Sequence, residues 1–277
     1  MAFKNKDDLQ DNLGALEGMT IGQIASEHNL STLRAQWEMV LSGERKYIEK
    51  QIINDIIEQD FFKVQKNSSE DPDLNLDDGD LFELKVSHLF KSKGLIRPKY
   101  RLVLKVLNYE DMAANQNWHD SALYKKLRQM VIVFYYKDEE KPPWEWIVTS
   151  SFIWLSSDYD ERIQSDYTLT RTRVLCGQKI SESDTEFLAN CPKHNSKFCW
   201  WCHIGDECTN PKKKHPAPHP VLDGALRKHP AIGMAEKRGY CIPAQYMAVI
   251  FSNQIRMNLE RKVTSYGVPI EKVPHLY

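Results

Sequence analysis

From about residue 20 to residue 60 the apolar positions recur at helical spacing, most plainly as Ile52, Ile53, Ile56 and Ile57, and this predicts a helical N-terminal portion. Beyond it the pattern shortens. Residues 82–86, 101–107, 130–136 and 144–155 are short runs rich in β-branched and aromatic side chains, which predict strands, with a helical stretch near 121–129 between two of them. The expected fold class is therefore α/β, with a mixed central sheet flanked by helices. From Cys191 to His229 the periodicity vanishes and Cys, His, Pro and Lys cluster, as in an inserted recognition or metal-binding loop. Helix-like spacing returns over 245–259 and closes the domain. The organisation read from these changes is a helical portion plus core over 1–190, a Cys/His-rich insertion over 191–236 and a C-terminal recognition arm over 237–277.

Apolar residues make up 42% of the chain and charged residues 27%, an ordinary globular composition that argues against disorder. The apolar runs are far shorter than a bilayer-spanning helix, so no membrane partner is expected. The first ten residues are charged and lack the apolar stretch of a secretory signal, which predicts a cytoplasmic protein without disulfides. A net charge of −1 excludes a protein that coats nucleic acid over its whole surface, yet a local basic cleft remains open to it. The charge is in fact segregated. Residues 70–80 hold six acids and no base, whereas 193–238 is rich in Lys, Arg and His.

The chemistry sits at the acidic end. Pro72-Asp73 is followed ten residues later by Glu83-Leu84-Lys85 in a strand-like segment, where alternation sends Glu83 and Lys85 to one face and Leu84 to the other. Phosphodiester hydrolysis needs a hard cation against the developing negative charge, a positioned water, and a positive group to hold or activate that water. Asp73 and Glu83 fit the cation, expected to be Mg2+, and Lys85 fits the water. Glu58, on the preceding helix, is a candidate for tuning that metal shell. Taken alone, E-x-K equally describes a Glu–Lys pair on an exposed strand face.

The neighbourhood shifts the weighting, because an ordered series of segments resembles the MutH mismatch-repair nicking enzymes and the related restriction endonucleases that cut at GATC. Lys50 to Glu58 resembles that family's K-G-x-x-G-x-x-(I/L)-E helix, and Asn67-Ser68 with Pro72-Asp73 resembles the segment leading to its metal-binding Asp. Phe82 to Val86 is similar to its G-(I/V)-E-L-K strand. Arg101 to Leu104 with Asn108-Tyr109 is similar to its R-L-V-L-x-x-x-N-Y, continued by Trp118, Ser121 and Lys125. Ser181 to Thr185 with Leu188 and Cys191, then Lys237-Arg238 with Tyr246-Met247, complete the series. The resemblance implies a PD-(D/E)xK nuclease with a two-armed cleft, one arm carrying the metal carboxylates and the other the recognition loops. Two departures stand out. Gln51 and Asn54 replace both glycines of the first motif, and the interval from Asp73 to Glu83 is longer than the family's, which leaves Asp77, Asp78 or Asp80 as alternative ligands.

In the insertion, Cys191, Cys199, Cys202 and Cys208 lie within eighteen residues, and the spacing of Cys199 and Cys202 lets both thiolates reach one tetrahedral ion. A structural Zn2+ is one reading and a set of reduced, partly buried thiols the other. Lys212, Lys213, Arg227, Lys228, Lys237 and Arg238 are candidates for DNA phosphate and base contacts, with Arg238 favoured for base readout by the resemblance. Tyr240 is either a stacking ring or a core residue. The expected partner is double-stranded DNA, as a homodimer or a monomer and without an obligate protein partner. Three functions compete: a type II restriction endonuclease, a methyl-directed mismatch-repair nickase, and a non-catalytic zinc-containing DNA-binding module.

Overall fold

The computed structural model describes residues 3–64, 72–92, 95–98, 100–106, 109–115, 117–176, 185, 189–192, 238–243 and 246–252. Helices α1 (Lys6–Leu16), α2 (Ile21–Ile24), α3 (Glu27–Leu41) and α4 (Lys50–Asp55) come first, and α4 widens into a π-helical turn over Ile56–Phe61. Strands β1 (Leu74–Asn75), β2 (Leu81–Ser92), β3 (Leu95–Pro98) and β4 (Leu102–Val106) follow. Then come α5 (Tyr109–Ala114), α6 (Ala122–Leu127), β5 (Gln129–Tyr136), β6 (Ile147–Leu155) and α7 (Asp160–Leu175). Strands β7 (Ala189–Pro192) and β8 (Arg238–Ile242) close the series, and 246–252 is helical. The chain divides into two compact units, residues 1–100, 128–155 and 244–277 in one and 101–127 with 156–243 in the other.

The first unit holds a five-stranded sheet of order β1-β2-β5-β6, with β3 also paired to β2. The β2–β5 pair is parallel and the other pairs are antiparallel, so the sheet is mixed. Alternation along β2 and β5 splits the residues by face. Phe82, Leu84, Val86, Val131, Val133 and Tyr135 join one apolar core with Leu9, Leu13 and Leu16 of α1, Ile21 and Ile24 of α2, Leu33 of α3, and the four isoleucines 52, 53, 56 and 57. Glu83 and Lys85 therefore face the other way, next to Met130 and Ile132 across the parallel register. On that side Phe134 meets Phe251 of the 246–252 helix edge-on, with centroids 5.1 Å apart.

Strand β6 ends this sheet, and its open backbone groups are covered by the segment that leaves α1. Gly18 N–H donates to Val148 O at 2.8 Å, Val148 N–H to Met19 O at 2.9 Å, and Ile21 N–H to Trp146 O at 2.8 Å. The Ser151 N–H donates to the Glu17 carboxylate at 2.7 Å. An unsatisfied sheet edge invites pairing with another chain, and this strap removes it. The approach is tight enough that a Cβ added at Gly22 would fall 2.9 Å from Trp144 O.

The second unit carries an antiparallel sheet of order β4-β8-β7 and helices α5, α6 and α7. The apolar pattern does not announce helix α7, because its buried stripe, Ile163, Asp166, Tyr167, Thr170 and Val174, mixes polar residues into a helical repeat. Helix α1 is hidden for a related reason: Leu9, Leu13 and Leu16 form its buried side within an otherwise charged segment. The strand expected over 144–155 begins only at Ile147, since Pro143–Glu145 forms a short 3-10 turn. Cys191, expected in a loop, lies in β7, where it pairs with Gly239 of β8 while Pro192 pairs with Arg238. The intervening residues 193–237 lie outside the described residues.

Candidate active site

The long interval between Asp73 and Glu83 is taken up by a β-hairpin. Leu74 pairs with Phe82 and Asn75 with Leu81, and the turn closes with the Leu76 N–H on Asp80 O at 2.9 Å. Gly79 adopts φ +90° in this turn, a conformation that glycine reaches without strain. Continuing the register by one pair sets Asp73 opposite Glu83, and opposed residues of an antiparallel pair share a face. The Leu84 N–H donates to the Asp73 carboxylate at 3.0 Å, which fixes that group between Glu83 and Lys85. Lys85 Nζ in turn donates to Glu83 Oε1.

The alternative acids are at the other end of the hairpin. Asp77 N–H donates to Phe3 O, Asp78 Oδ1 accepts from the Asp80 N–H at 3.1 Å, and Asp80 lies 4.0 Å from the Arg128 guanidinium. At a strand rise of about 3.3 Å per residue, Asp80 is displaced by roughly 10 Å along β2 from Glu83. Asp73 is the acid that the fold brings to the E-x-K pair.

Glu83 is 3% exposed and Lys85 18%, so the pair is largely withdrawn from water and its Coulomb interaction is strong. From the neighbouring helix comes Lys50, whose ammonium is held below the ordinary lysine range. Desolvation is the first cause, repulsion from Lys85 adds to it, and attraction to Glu58 works the other way. Lys50 thus feels both Lys85 and Glu58, and its place at the head of the K-to-E helix motif is the one sequence signal that points to it. The π-helical turn carries Glu58 half-buried between the core residues Ile57 and Phe62 and ends at Phe61, after which Lys63, with a φ of +60°, turns the chain away. Single π turns are rare and are found frequently at functional sites. The two positions that lost glycine are accommodated differently: Gln51 is exposed and donates to Asp55 at 2.8 Å, whereas Asn54 is half-buried with its Oδ1 enclosed and without a hydrogen-bond partner among the described residues.

Chemically, Asp73 and Glu83 are hard anionic oxygen donors on one face, a donor set that fits Mg2+ and does not suit a soft metal. No group of three or more His, Cys, Asp or Glu side chains capable of holding an ion occurs among the described residues. A cation bound by these two carboxylates would complete its shell from water or substrate, as Mg2+ commonly does at phosphates.

The expected recognition residues fare unevenly. Lys212, Lys213, Arg227, Lys228 and Lys237 lie outside the described residues, as do Cys199, Cys202 and Cys208 of the anticipated zinc set. Arg238 is the first residue of β8. Tyr240, 1% exposed in the same strand, is packed in the interior of its unit, the second of the two readings considered for it. No helix among the described residues is long and apolar enough to cross a membrane.

Residues 62–166 match the family model described as the DNA mismatch repair enzyme MutH, a span that contains Asp73, Glu83, Lys85 and strands β1 to β6. No curated protein matches the chain.

Proposed function

We propose, from the match of residues 62–166 to the MutH family model, that this chain is a Mg2+-dependent, sequence-specific type II restriction endonuclease acting on duplex DNA at a short site, GATC or one related to it. The observation that carries this reading is the convergence of Asp73, Glu83 and Lys85: the Asp73 carboxylate is bonded to the Leu84 N–H, and Lys85 is bonded to Glu83. Bound Mg2+ supplies positive charge against the phosphate oxygens and a water of lowered pKa.

The protein's own groups do the rest. Asp73 and Glu83 hold the cation, and burial of Glu83 keeps that carboxylate fixed. Lys85 orients the attacking water and stabilises negative charge as it develops on the phosphate. The water oxygen bonds to phosphorus, the bond to the 3′ oxygen breaks, and the products are a 5′-phosphate and a 3′-hydroxyl. Glu58 and Lys50 set the field around Lys85, and Arg238 with Lys212, Lys213, Arg227, Lys228 and Lys237 reads the DNA. Cys191, Cys199, Cys202 and Cys208 would be the ligands of a structural zinc in the insertion; elemental analysis of the purified chain should find about one zinc per molecule.

A methyl-directed nickase is the second reading, favoured by the mismatch-repair description of the matching family. The purified protein with unmethylated plasmid and Mg2+ separates the two. A restriction enzyme cuts both strands alone, and a nickase stays nearly silent without a partner. In the same assay Lys85→Ala should lower cleavage by at least about 100-fold while leaving duplex binding in Ca2+ unchanged. A variant that still cuts at the wild-type rate overturns the assignment.

A further inference from the structure

Between Glu83 and Glu110 the chain holds seven Lys or Arg and no Asp or Glu. With 38 acids in 277 residues, a stretch of 26 would ordinarily contain three or four, so this segment is strongly basic within a chain whose net charge is −1. The stretch begins inside the active site. Strand β2 runs unbroken from Leu81 to Ser92, so the strand that presents Glu83 and Lys85 continues beyond them. Its pairing with β5 ends at Leu89, where its pairing with β3 begins. In that hairpin Phe90 opposes Arg97 and Lys91 opposes Ile96, which puts Arg97 and Lys91 on opposite faces of a two-stranded ribbon. Both cations are exposed. The Arg97 guanidinium lies over the Phe90 ring, 5.8 Å from its centroid, a contact that holds a cation in place without neutralising it.

The strand itself sets the distance to the active site. Lys85 and Lys91 are six residues apart on β2, about 20 Å at roughly 3.3 Å per residue, and that is the axial length of about six base pairs. A duplex with its scissile phosphate at Lys85 therefore carries further phosphates out to the hairpin. The major groove is about 12 Å wide and admits a two-stranded ribbon. Its two walls are phosphate backbones, so a ribbon with a cation on each face can meet both of them. A ribbon laid flat on one strand would need its cations on a single face.

We propose that the β2–β3 hairpin enters a groove of the duplex beside the cut, Lys91 neutralising a phosphate of one strand and Arg97 a phosphate of the other, about six base pairs from the scissile bond. The inference rests on the nuclease reading above and gives the unit that holds Asp73, Glu83 and Lys85 a DNA contact of its own. Such phosphate contacts add affinity and fix register without reading sequence.

The test measures binding of a fluorescent unmethylated duplex with GATC, or the site mapped by plasmid cleavage, at its centre. Binding is followed in Ca2+ across a series of salt concentrations, and cleavage of the same duplex in Mg2+. Lys91→Ala and Arg97→Ala should each reduce the slope of log affinity against log salt by about one, and the double variant by about two. Lys91→Arg and Arg97→Lys keep the charge and should keep the slope. Trimming the duplex to about three base pairs on each side of the cut should abolish the difference between wild type and double variant. Both side chains are exposed, so the variants should melt with the wild type. Lysine on an exposed ribbon also deters pairing with another chain; if that is the whole role of these residues, the double variant self-associates at wild-type slope and the proposal is overturned. Wild-type protein that neither binds nor cuts duplex DNA refutes the nuclease reading and the hairpin contact with it. Wild-type protein that cuts, beside either alanine variant of unchanged slope, overturns the hairpin contact alone.

Discussion

Replacing Glu17 by Gln should stabilise the protein, and by an amount that depends on pH. Glu17 follows α1 and is 7% exposed; its Oε1 accepts from the Ser151 N–H at 2.7 Å, while Oε2 is buried without a hydrogen-bond partner among the described residues. Burial pushes its carboxyl from 4.5 up to about 8, and the Ser151 N–H with the Ser150 hydroxyl close by offsets only part of that. Because the folded value is raised, protonation favours the folded state. The stability linked to this group is complete below about pH 4.5 and is lost progressively until about pH 8. At about 1.4 kcal/mol per unit, the penalty at pH 7 is on the order of 3 kcal/mol, and at pH 5 it is under about 1 kcal/mol. Gln keeps the acceptor for Ser151, places an amide donor near Ser150, and cannot ionise. Thermal melts of both proteins at unit intervals from pH 5 to pH 8 should show nearly equal Tm at pH 5. At pH 7 the Glu17→Gln variant should lead by roughly 6–12 °C, at about 2–4 °C per kcal/mol for a chain of this size. Melting curves that stay parallel across that range would refute the idea that Glu17 titrates in the folded protein.

Asp73→Asn preserves an oxygen for the Leu84 N–H but removes the charge, so Tm should move by less than about 2 °C while Mg2+-dependent plasmid cleavage falls by at least about 100-fold; equal losses of fold and activity would mean a structural role instead. Gly22→Ala pushes a methyl into Trp144 O at 2.9 Å and should cost about 1–3 kcal/mol in urea unfolding, whereas an unchanged midpoint would show that the strap over β6 can give way. Asp60 accepts from both the Ser26 N–H and the Asn29 amide at 2.8 Å, so Asp60→Ala should fray the start of α3 and lower stability by about 1–2 kcal/mol, measured by the same unfolding curves with helix content followed by circular dichroism.

The sequence by itself determined the parts that repeat locally. The strand pattern of 82–86 and 130–136 was legible because alternation and β-branched runs are properties of consecutive residues, and the four isoleucines of α4 and its π turn marked a buried helical face for the same reason. It also determined that Glu83 and Lys85 share a face, since a strand leaves no other choice. Only the tertiary structure decided which acid stands beside them. Four aspartates lie within the hairpin region 73–80, and what selects Asp73 is the pairing of Leu74 with Phe82, a contact between residues that no local period connects. The sequence marks Lys50 only as the head of the K-to-E helix motif, and the influence on it of Lys85, thirty-five residues away, is decided by the fold. Helix α7 hides behind Asp166 and Thr170, polar side chains that become interior only when neighbours enclose them. The burial of Glu17 is of the same kind: nothing in its surroundings along the chain separates it from an exposed glutamate, and its altered acidity comes from the strand β6 that the fold lays over it.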